Sequence, residues 1–214
     1  MASPYRYEER ILKAAREHFA AHGFYGARVD AIADEAKLNK RMVYEYNHTK
    51  EGLYLAVLSR VSCDAMALFE QSFGVDNHFD QVIDVYDRLL DVFRDADSFV
   101  RLWTWEQMAE TIHGPRLLET VGTMLSRIRT IVREKSSRPL TDDDFSKIEM
   151  LLHGHLLSMA MYLANKSGNS DVEVEGDSED SGSELLDNDA AQGGILAQEL
   201  RGIILNAIKQ VLNG

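Results

Sequence analysis

The sequence has little cysteine and little proline, and it lacks a long apolar run. Cys63 is the single cysteine, which excludes an intrachain disulfide framework and is typical of a reducing cytoplasm. We expect its thiol to be a buried apolar group rather than a redox switch. No run of about 18 apolar residues occurs, and the first ten residues lack the apolar core of a secretory signal. These absences predict a cytoplasmic protein that does not bind membranes.

The net charge of −12 is unevenly distributed. Residues 1–60 hold ten lysines and arginines against eight acids, whereas residues 171–189 hold nine acids and no basic residue. An acidic chain is not expected to bind nucleic acid nonspecifically, but a mildly basic N-terminal region can still present one local DNA-binding face.

Only three prolines interrupt the 214 residues, and apolar residues recur at helical spacing. We predict an all-α fold of nine helices: an N-terminal helix-turn-helix domain over 1–48 and a larger helical ligand-binding and dimerisation domain over 49–214. The acidic, Ser- and Gly-rich segment 167–190 is predicted to be a disordered loop. The predicted helices span about 5–22, 29–36, 40–46, 50–73, 79–95, 98–112, 115–135, 142–166 and 191–213.

Two short helices between Gly26 and Asn47 carry the most informative pattern. The first has an apolar face that includes Ile32 and two small alanines, and Asn39 is placed to cap the second, which buries Val43. The other face of the second helix carries Lys40, Arg41, Tyr44 and Tyr46. Arginine and lysine reach base edges or phosphates, and a tyrosine hydroxyl donates to phosphate. This is the arrangement with which a helix-turn-helix enters a major groove.

A wider set of residues in fixed order resembles the N-terminal domain of TetR-family transcriptional regulators, over about residues 6–58. These residues are Arg10-Ile11-Leu12, Ala14-Ala15, Phe19 and Gly23, then Ile32-Ala33, Ala36 and Leu38, then Val43-Tyr44, Tyr46, Lys50-Glu51 and Leu53.

The resemblance implies a set of DNA-binding residues. The residues that begin the recognition helix would face base edges, two tyrosines would touch the sugar-phosphate backbone, and Lys50 would meet a phosphate at a helix N-terminus. The predicted DNA-binding set is Arg28, Asn39, Lys40, Arg41, Met42, Tyr44, Tyr46 and Lys50.

Four residues depart from the family pattern. Arg28 stands where a capping Thr or Ser is usual, and Lys37 stands where the turn usually has glycine. Glu45 would be repelled by phosphate unless it meets a cytosine amine. Asn47 replaces a core aromatic residue.

The body is rich in methionine and aromatic side chains, which suit either an irregular ligand cavity or an ordinary core. The resemblance implies a ligand site among the fifth to eighth helices. Glu106, Glu110 and His113 share a helical face that would suit a metal or a cationic ligand, although ordinary surface residues explain them equally. The predicted ligand-binding set is Tyr86, Phe93, Trp103, Trp105, Met108, His113, Met124, Met159 and Tyr162.

The last two helices have wide apolar faces, which favours a four-helix bundle formed with a second copy. The predicted dimerisation residues are Leu152, Leu156, Leu163, Leu200, Ile204 and Ile208.

The sequence therefore favours a ligand-responsive regulator, most simply a repressor, that binds palindromic double-stranded DNA as a homodimer and is released by a small, largely apolar effector. The alternative is a helical ligand- or partner-binding protein whose head no longer reads DNA. The pattern offers no catalytic constellation, metal site or cofactor motif, so we do not expect an enzyme.

Overall fold

The computed structural model describes residues 4–74, 80–109, 114–136, 138–168 and 182–213. The described residues form α-helices and contain no strand, which confirms the all-α prediction. The helices are α1 (Pro4–Gly26), α2 (Val29–Glu35), α3 (Lys40–Asn47), α4 (Lys50–Phe73), α5 (Val82–Asp95), α6 (Asp97–Ala109), α7 (Gly114–Lys135), α8 (Asp142–Gly168) and α9 (Gly182–Asn213).

Three helices begin where the sequence supplies a capping side chain. Asn39 accepts a hydrogen bond from the Met42 amide at 2.9 Å and so caps α3. Thr49 does the same for α4 through the amide of Gly52. At the start of α8, the Thr141 hydroxyl accepts a hydrogen bond from the Asp144 amide. The Asp144 carboxylate accepts one from the Thr141 amide in return, which completes a capping box.

The chain divides into two compact units. The first unit comprises Met1–Asp76 with Asp95–Ser126, and the second comprises Asn77–Arg94 with Arg127–Gly214. The predicted boundary at residue 48 stays a prediction.

In the first unit, α1 to α4 pack with α6 around a core of fully buried side chains. The Gly23 backbone has φ +65°, so it breaks α1 where the sequence predicted a left-handed stop. The buried apolar residues at the centre of this core include Ile11, Phe19, Ile32, Val43, Leu53 and Leu58.

Helix α6 is tied to both α1 and α4 within the first unit. The Trp105 indole donates to the Ala20 carbonyl at 3.1 Å, and its ring lies against Gly23 so closely that a Cβ there would be 2.9 Å away. The Tyr54 hydroxyl donates to the Glu106 carboxylate at 2.5 Å, with both side chains buried. Burial first, and then this hydrogen bond, raise the pKa of Tyr54.

In the second unit, arginines join helices by hydrogen bonds. Arg201 of α9 bonds both Asp87 and Asp91 of α5, at 2.8 and 2.7 Å. Arg138 bonds Asp144 and also donates to two carbonyls at the end of α9, those of residues 211 and 212. These contacts satisfy carbonyls that the last helical turn leaves open.

The structure corrects two predictions. Helix α9 begins at Gly182, so residues 182–190 are helical rather than disordered; residues 167–168 end α8, and 169–181 lie outside the described residues. Residues 184–191 include Glu, Leu and Ala, which favour helix. The prediction was wrong because it gave the acidic composition of the segment more weight than these helix propensities. The second correction concerns Cys63, which is exposed on α4 rather than buried.

Helix α4 is long and apolar enough to cross a membrane by length and composition. Eight of its side chains are buried, among them Leu53, Tyr54 and Phe69, so its apolar character is explained by the protein core.

Candidate nucleic-acid interface

One side of α3 is buried and the opposite side carries charge. Val43 is buried, whereas an open concavity on the other side is lined by the residues that we call the outer face of α3. These are Lys40, Arg41, Tyr44, Glu45 and His48.

The lysine and the arginine of the outer face are each paired with a carboxylate. Lys40 contacts Asp30 of α2 at 2.8 Å, and this hydrogen bond raises the pKa of Lys40. Arg41 donates from Nε to Glu45 at 3.0 Å, one turn further along α3. Exposed pairs of this kind contribute little to stability and exchange readily with another anion. The cations are therefore available to a phosphate or a base edge.

The other residues of the predicted DNA-binding set lie around this face. Asn39 is exposed and caps α3, so its side chain is partly committed to the helix. Met42 and Tyr46 are half-buried on α3. Arg28 precedes α2 with extended backbone and makes no side-chain cap, as its lack of a hydrogen-bond acceptor predicts. It is exposed and is available for an ionic contact.

Lys50 lies at the start of α4, where backbone amides and the helix dipole favour an anion. Its ammonium lies 5.1 Å from the centre of the Phe24 ring and 3.5 Å from the Tyr25 carbonyl. Partial burial lowers the pKa of Lys50. Tyr25, which lies beside Lys50 and was not among the predicted residues, has a side chain that is 78% exposed. A second large aromatic residue, two positions after the α1 stop at Gly23, was the signal that could have identified it.

The turn between α2 and α3 manages without glycine. Lys37 adopts φ +53°, which L-residues rarely do, and its amide bonds the Asp34 carbonyl at 2.9 Å. Arg10 of α1 donates to the carbonyls of Ala36 and Lys37, at 2.5 and 3.1 Å. These bonds hold the strained turn in place.

The junction between α3 and α4 is also tight. His48 has φ +58°, and the Asn47 carbonyl lies so close to Gly52 that a Cβ on Gly52 would be 2.4 Å from it. Asn47 is half-buried, and its side-chain amide donates to the Val43 carbonyl at 3.4 Å. A polar side chain thus occupies the place of the usual aromatic residue, and glycine permits the close approach of α4.

The predicted ligand-binding residues lie in different environments. Tyr86, Phe93, Trp103 and Met124 are buried and Met159 is half-buried. The Trp105 indole donates to the Ala20 carbonyl of α1, and Met108 is 71% exposed, so a ligand contact of either residue stays a prediction. His113 and the side chain of Tyr162 lie outside the described residues, so the ligand site stays a prediction.

The acidic pair of that same region also differs from expectation. Glu106 is buried against Tyr54 rather than exposed on a metal-binding face, and Glu110 lies outside the described residues. Among the residues that the structure describes, no cluster suited to a metal ion occurs.

The predicted dimerisation residues are largely covered within one chain. Leu152, Leu156, Ile204 and Ile208 are buried, Leu200 is half-buried, and the side chain of Leu163 is outside the described part. Helices α8 and α9 pack against each other within a single chain. Among the side chains of α8 and α9 that the structure describes, Met150 and Ile203 are the large apolar ones that are exposed. The oligomeric state stays a prediction.

Comparison with known proteins agrees with this architecture. Residues 11–57 match the family described as bacterial regulatory proteins of the tetR family. The HTH-type transcriptional repressor SCO4008 of Streptomyces coelicolor is 39% identical over 124 residues, covering 56% of this chain and 62% of that protein. The HTH-type transcriptional regulator RutR of Escherichia coli O157:H7 is 32% identical over 131 residues, covering 61% of this chain and 58% of that protein. The chain thus spans less than two thirds of the length of either relative.

Solved structures show the same fold along nearly the whole chain. A transcriptional regulator from Rhodococcus sp. Rha1 superposes with a TM-score of 0.61 at 14% identity, covering 97% of this chain and 96% of that one. A TetR-like transcriptional regulator from Rhodococcus sp. RHA1 gives a TM-score of 0.57 at 21% identity, covering 90% and 97%. The family match thus covers residues 11–57, which include the helix-turn-helix with its capped α3, and the solved structures share the all-α fold of the described residues.

Proposed function

We propose that this protein is a cytoplasmic transcriptional regulator that binds palindromic double-stranded DNA as a homodimer and releases it when a small, largely apolar effector binds in the helical body. The observation that carries the proposal is the outer face of α3. It combines exposed cations with a tyrosine, on a helix whose opposite side is locked into the core by Val43. The exposed side thus has the size and chemistry for a major groove.

A dimer is needed because one short helix makes few phosphate and base contacts, which gives weak binding at physiological salt. Met150 of α8 and Ile203 of α9 are 69% and 64% exposed. Gly154 and Gly202 on the same helices have open space where a Cβ would be. Exposed apolar side chains beside small residues favour close helix packing with a second copy.

A repressor is favoured because two of the matching relatives carry that name. SCO4008 is named a repressor, and so is NicS of Pseudomonas putida, which is 26% identical over 160 residues. When such a protein covers its operator, an effector has to favour a conformation with a different spacing of the two heads.

The route from effector to head runs through α6. Its Trp105 bonds α1 and its Glu106 bonds α4, so a shift of α6 displaces α4, against which α3 packs, and α1, which packs against α2 and α4. Because both tryptophans of the chain lie on α6, an effector that weakens DNA binding should also change the tryptophan fluorescence.

The DNA proposal is tested by fluorescence anisotropy with duplex DNA from upstream of the protein's own gene, at two salt concentrations. We expect specific binding that falls with salt. Lys50→Ala should weaken it about tenfold and reduce the salt slope by about one unit, as the loss of one phosphate contact requires. Lys209→Ala, which removes an exposed cation of α9, is the matched control and should change neither.

The rival interpretation, a ligand- or partner-binding protein with a non-reading head, makes the opposite prediction. Under it, no duplex is preferred, and replacing Tyr44 or Lys50 by alanine affects nothing beyond the control. Sedimentation of the same sample tests the dimer, and a monomer at micromolar concentration with full DNA specificity would contradict the two-headed mechanism.

A further inference from the structure

A carboxylate stands on the outer face of α3, the surface proposed to approach DNA. The Glu45 side chain is 56% exposed and lines the same concavity as Lys40, Tyr44 and His48. An acid in this position opposes phosphate binding, since the nucleic-acid backbone is uniformly negative. Its neighbours reduce that repulsion, because Arg41 holds the carboxylate at 3.0 Å.

The contact between Arg41 and Glu45 leaves hydrogen-bonding atoms of both side chains available to a base. Arg41 donates to Glu45 from Nε. Its two terminal nitrogens make no hydrogen bond within the described part of the chain. The Arg41 side chain is 87% exposed. A guanidinium with free NH groups recognises the O6 and N7 acceptors of guanine. The second oxygen of a carboxylate accepts from a base amine.

The major-groove edges of the four bases differ toward a carboxylate. Guanine presents only acceptors, thymine presents an acceptor and a methyl group, and adenine presents its amine beside an acceptor nitrogen. Cytosine presents an amine donor alone. Of the four bases, cytosine therefore repels a carboxylate least and donates the best hydrogen bond to it, from its N4 amine.

The spacing of the two side chains suits adjacent base pairs. Residues four apart on a helix have their Cβ atoms about 6 Å apart, and base pairs rise about 3.4 Å per step. We propose that Glu45, oriented by Arg41, is a specificity-determining residue that reads a cytosine, while Arg41 reads a guanine within about two base pairs of it. The inference rests on the proposed function, and it predicts that each half-site contains this cytosine and this guanine.

The experiment uses the full-length protein. Binding-site selection from random duplexes first yields the preferred site, and every single-base variant of that site is then titrated with the wild type, Glu45→Ala and Glu45→Gln. Glu9→Gln is the matched control, because Glu9 is exposed on α1 and its replacement makes the same change in net charge. Thermal melting checks that each variant is folded.

We expect the wild type to prefer C·G at one position of each half-site by about tenfold. Glu45→Ala should lose this preference at that position alone, to less than about twofold, and retain the others. Glu45→Gln should shift it from cytosine toward adenine, because a carboxamide bonds the N6 and N7 edge of adenine. Glu9→Gln should keep the wild-type pattern.

Two results would overturn the inference while leaving the proposed function intact. In the first, Glu45→Ala tightens binding to all sequences equally, which makes Glu45 a repelling charge only. In the second, Glu45→Gln keeps the cytosine preference, which assigns that base to another residue. Absence of any sequence preference in the wild type overturns the proposed function itself, and the inference with it.

Discussion

One arginine of each unit, Arg41 of the first and Arg201 of the second, pairs with acids in a different way. Arg41 is 87% exposed and, among the described residues, pairs with an acid of its own helix alone, whereas Arg201 is 22% exposed and bonds two aspartates of another helix. An exposed pair within one helix contributes about 0.5 kcal/mol, and a half-buried network across helices contributes more. The first arginine is thus accessible to a partner molecule, as the proposed function requires, and the second joins two helices of the protein itself.

The largest expected effect comes from a substitution at the junction between α3 and α4, which tests whether this junction positions the outer face of α3. In Gly52→Ala, the new Cβ would lie 2.4 Å from the Asn47 carbonyl, so α4 has to move away from the end of α3. We expect a loss of about 3 kcal/mol of stability, as for an overpacked core, and loss of DNA binding. Urea unfolding and anisotropy measure the two effects.

Gly122→Ala is the matched control, since a Cβ at Gly122 of α7 meets nothing within 4 Å. This variant should be neutral or more stable by about 0.5 kcal/mol, because alanine loses less entropy in a helix. If Gly52→Ala bound DNA as well as this control does, the junction would not be needed to position α3.

The second prediction compares the two arginines directly. Arg201→Met should destabilise the protein by about 2 kcal/mol, because Asp87 and Asp91 lose their common partner. Arg41→Met should change stability by less than about 0.5 kcal/mol while weakening specific DNA binding. Equal losses of stability in urea unfolding would show that the contrast between the units is wrong.

The all-α fold and the exposed outer face of α3 could be predicted from the sequence, because they depend on local signals. The apolar spacing, the caps at Asn39 and Thr49 and the stop at Gly23 act within a few residues. The environments of Met108, Trp105 and Glu106 could not be predicted, because the side of α6 that faces α1 and α4 is decided by tertiary packing. The start of α9 was missed because an acidic composition was given more weight than helix propensity.

The third prediction concerns acid. The hydrogen bond from Arg201, with further nearby arginines, lowers the pKa of Asp91, and Arg138 lowers that of Asp144. A carboxyl with a lowered folded pKa stabilises the fold above its unfolded value, about 3.9, and loses this stabilisation as the pH falls through the folded value. We therefore expect Asp91→Asn to be less stable than the wild type at pH 7, and the difference to shrink below about pH 4.

Urea midpoints at pH 7, 5 and 3 measure this difference. Asp143→Asn is a suitable control, since Asp143 is exposed and pairs only within its own turn of α8. A gap between Asp91→Asn and the wild type that stays constant down to pH 3 would mean that the shape of the side chain matters, rather than its charge.

The smallest effect concerns the turn of the first unit. Lys37 holds φ +53°, a conformation that costs an L-residue about 1 kcal/mol and costs glycine little. Glycine also gains freedom in the unfolded chain, which offsets part of the benefit. Lys37→Gly should therefore stabilise the protein by only about 0.5 kcal/mol, measured as a small rise in the urea midpoint. If the variant is instead less stable, the bonds from Arg10 already relieve the turn, and Lys37 stabilises it through its side chain.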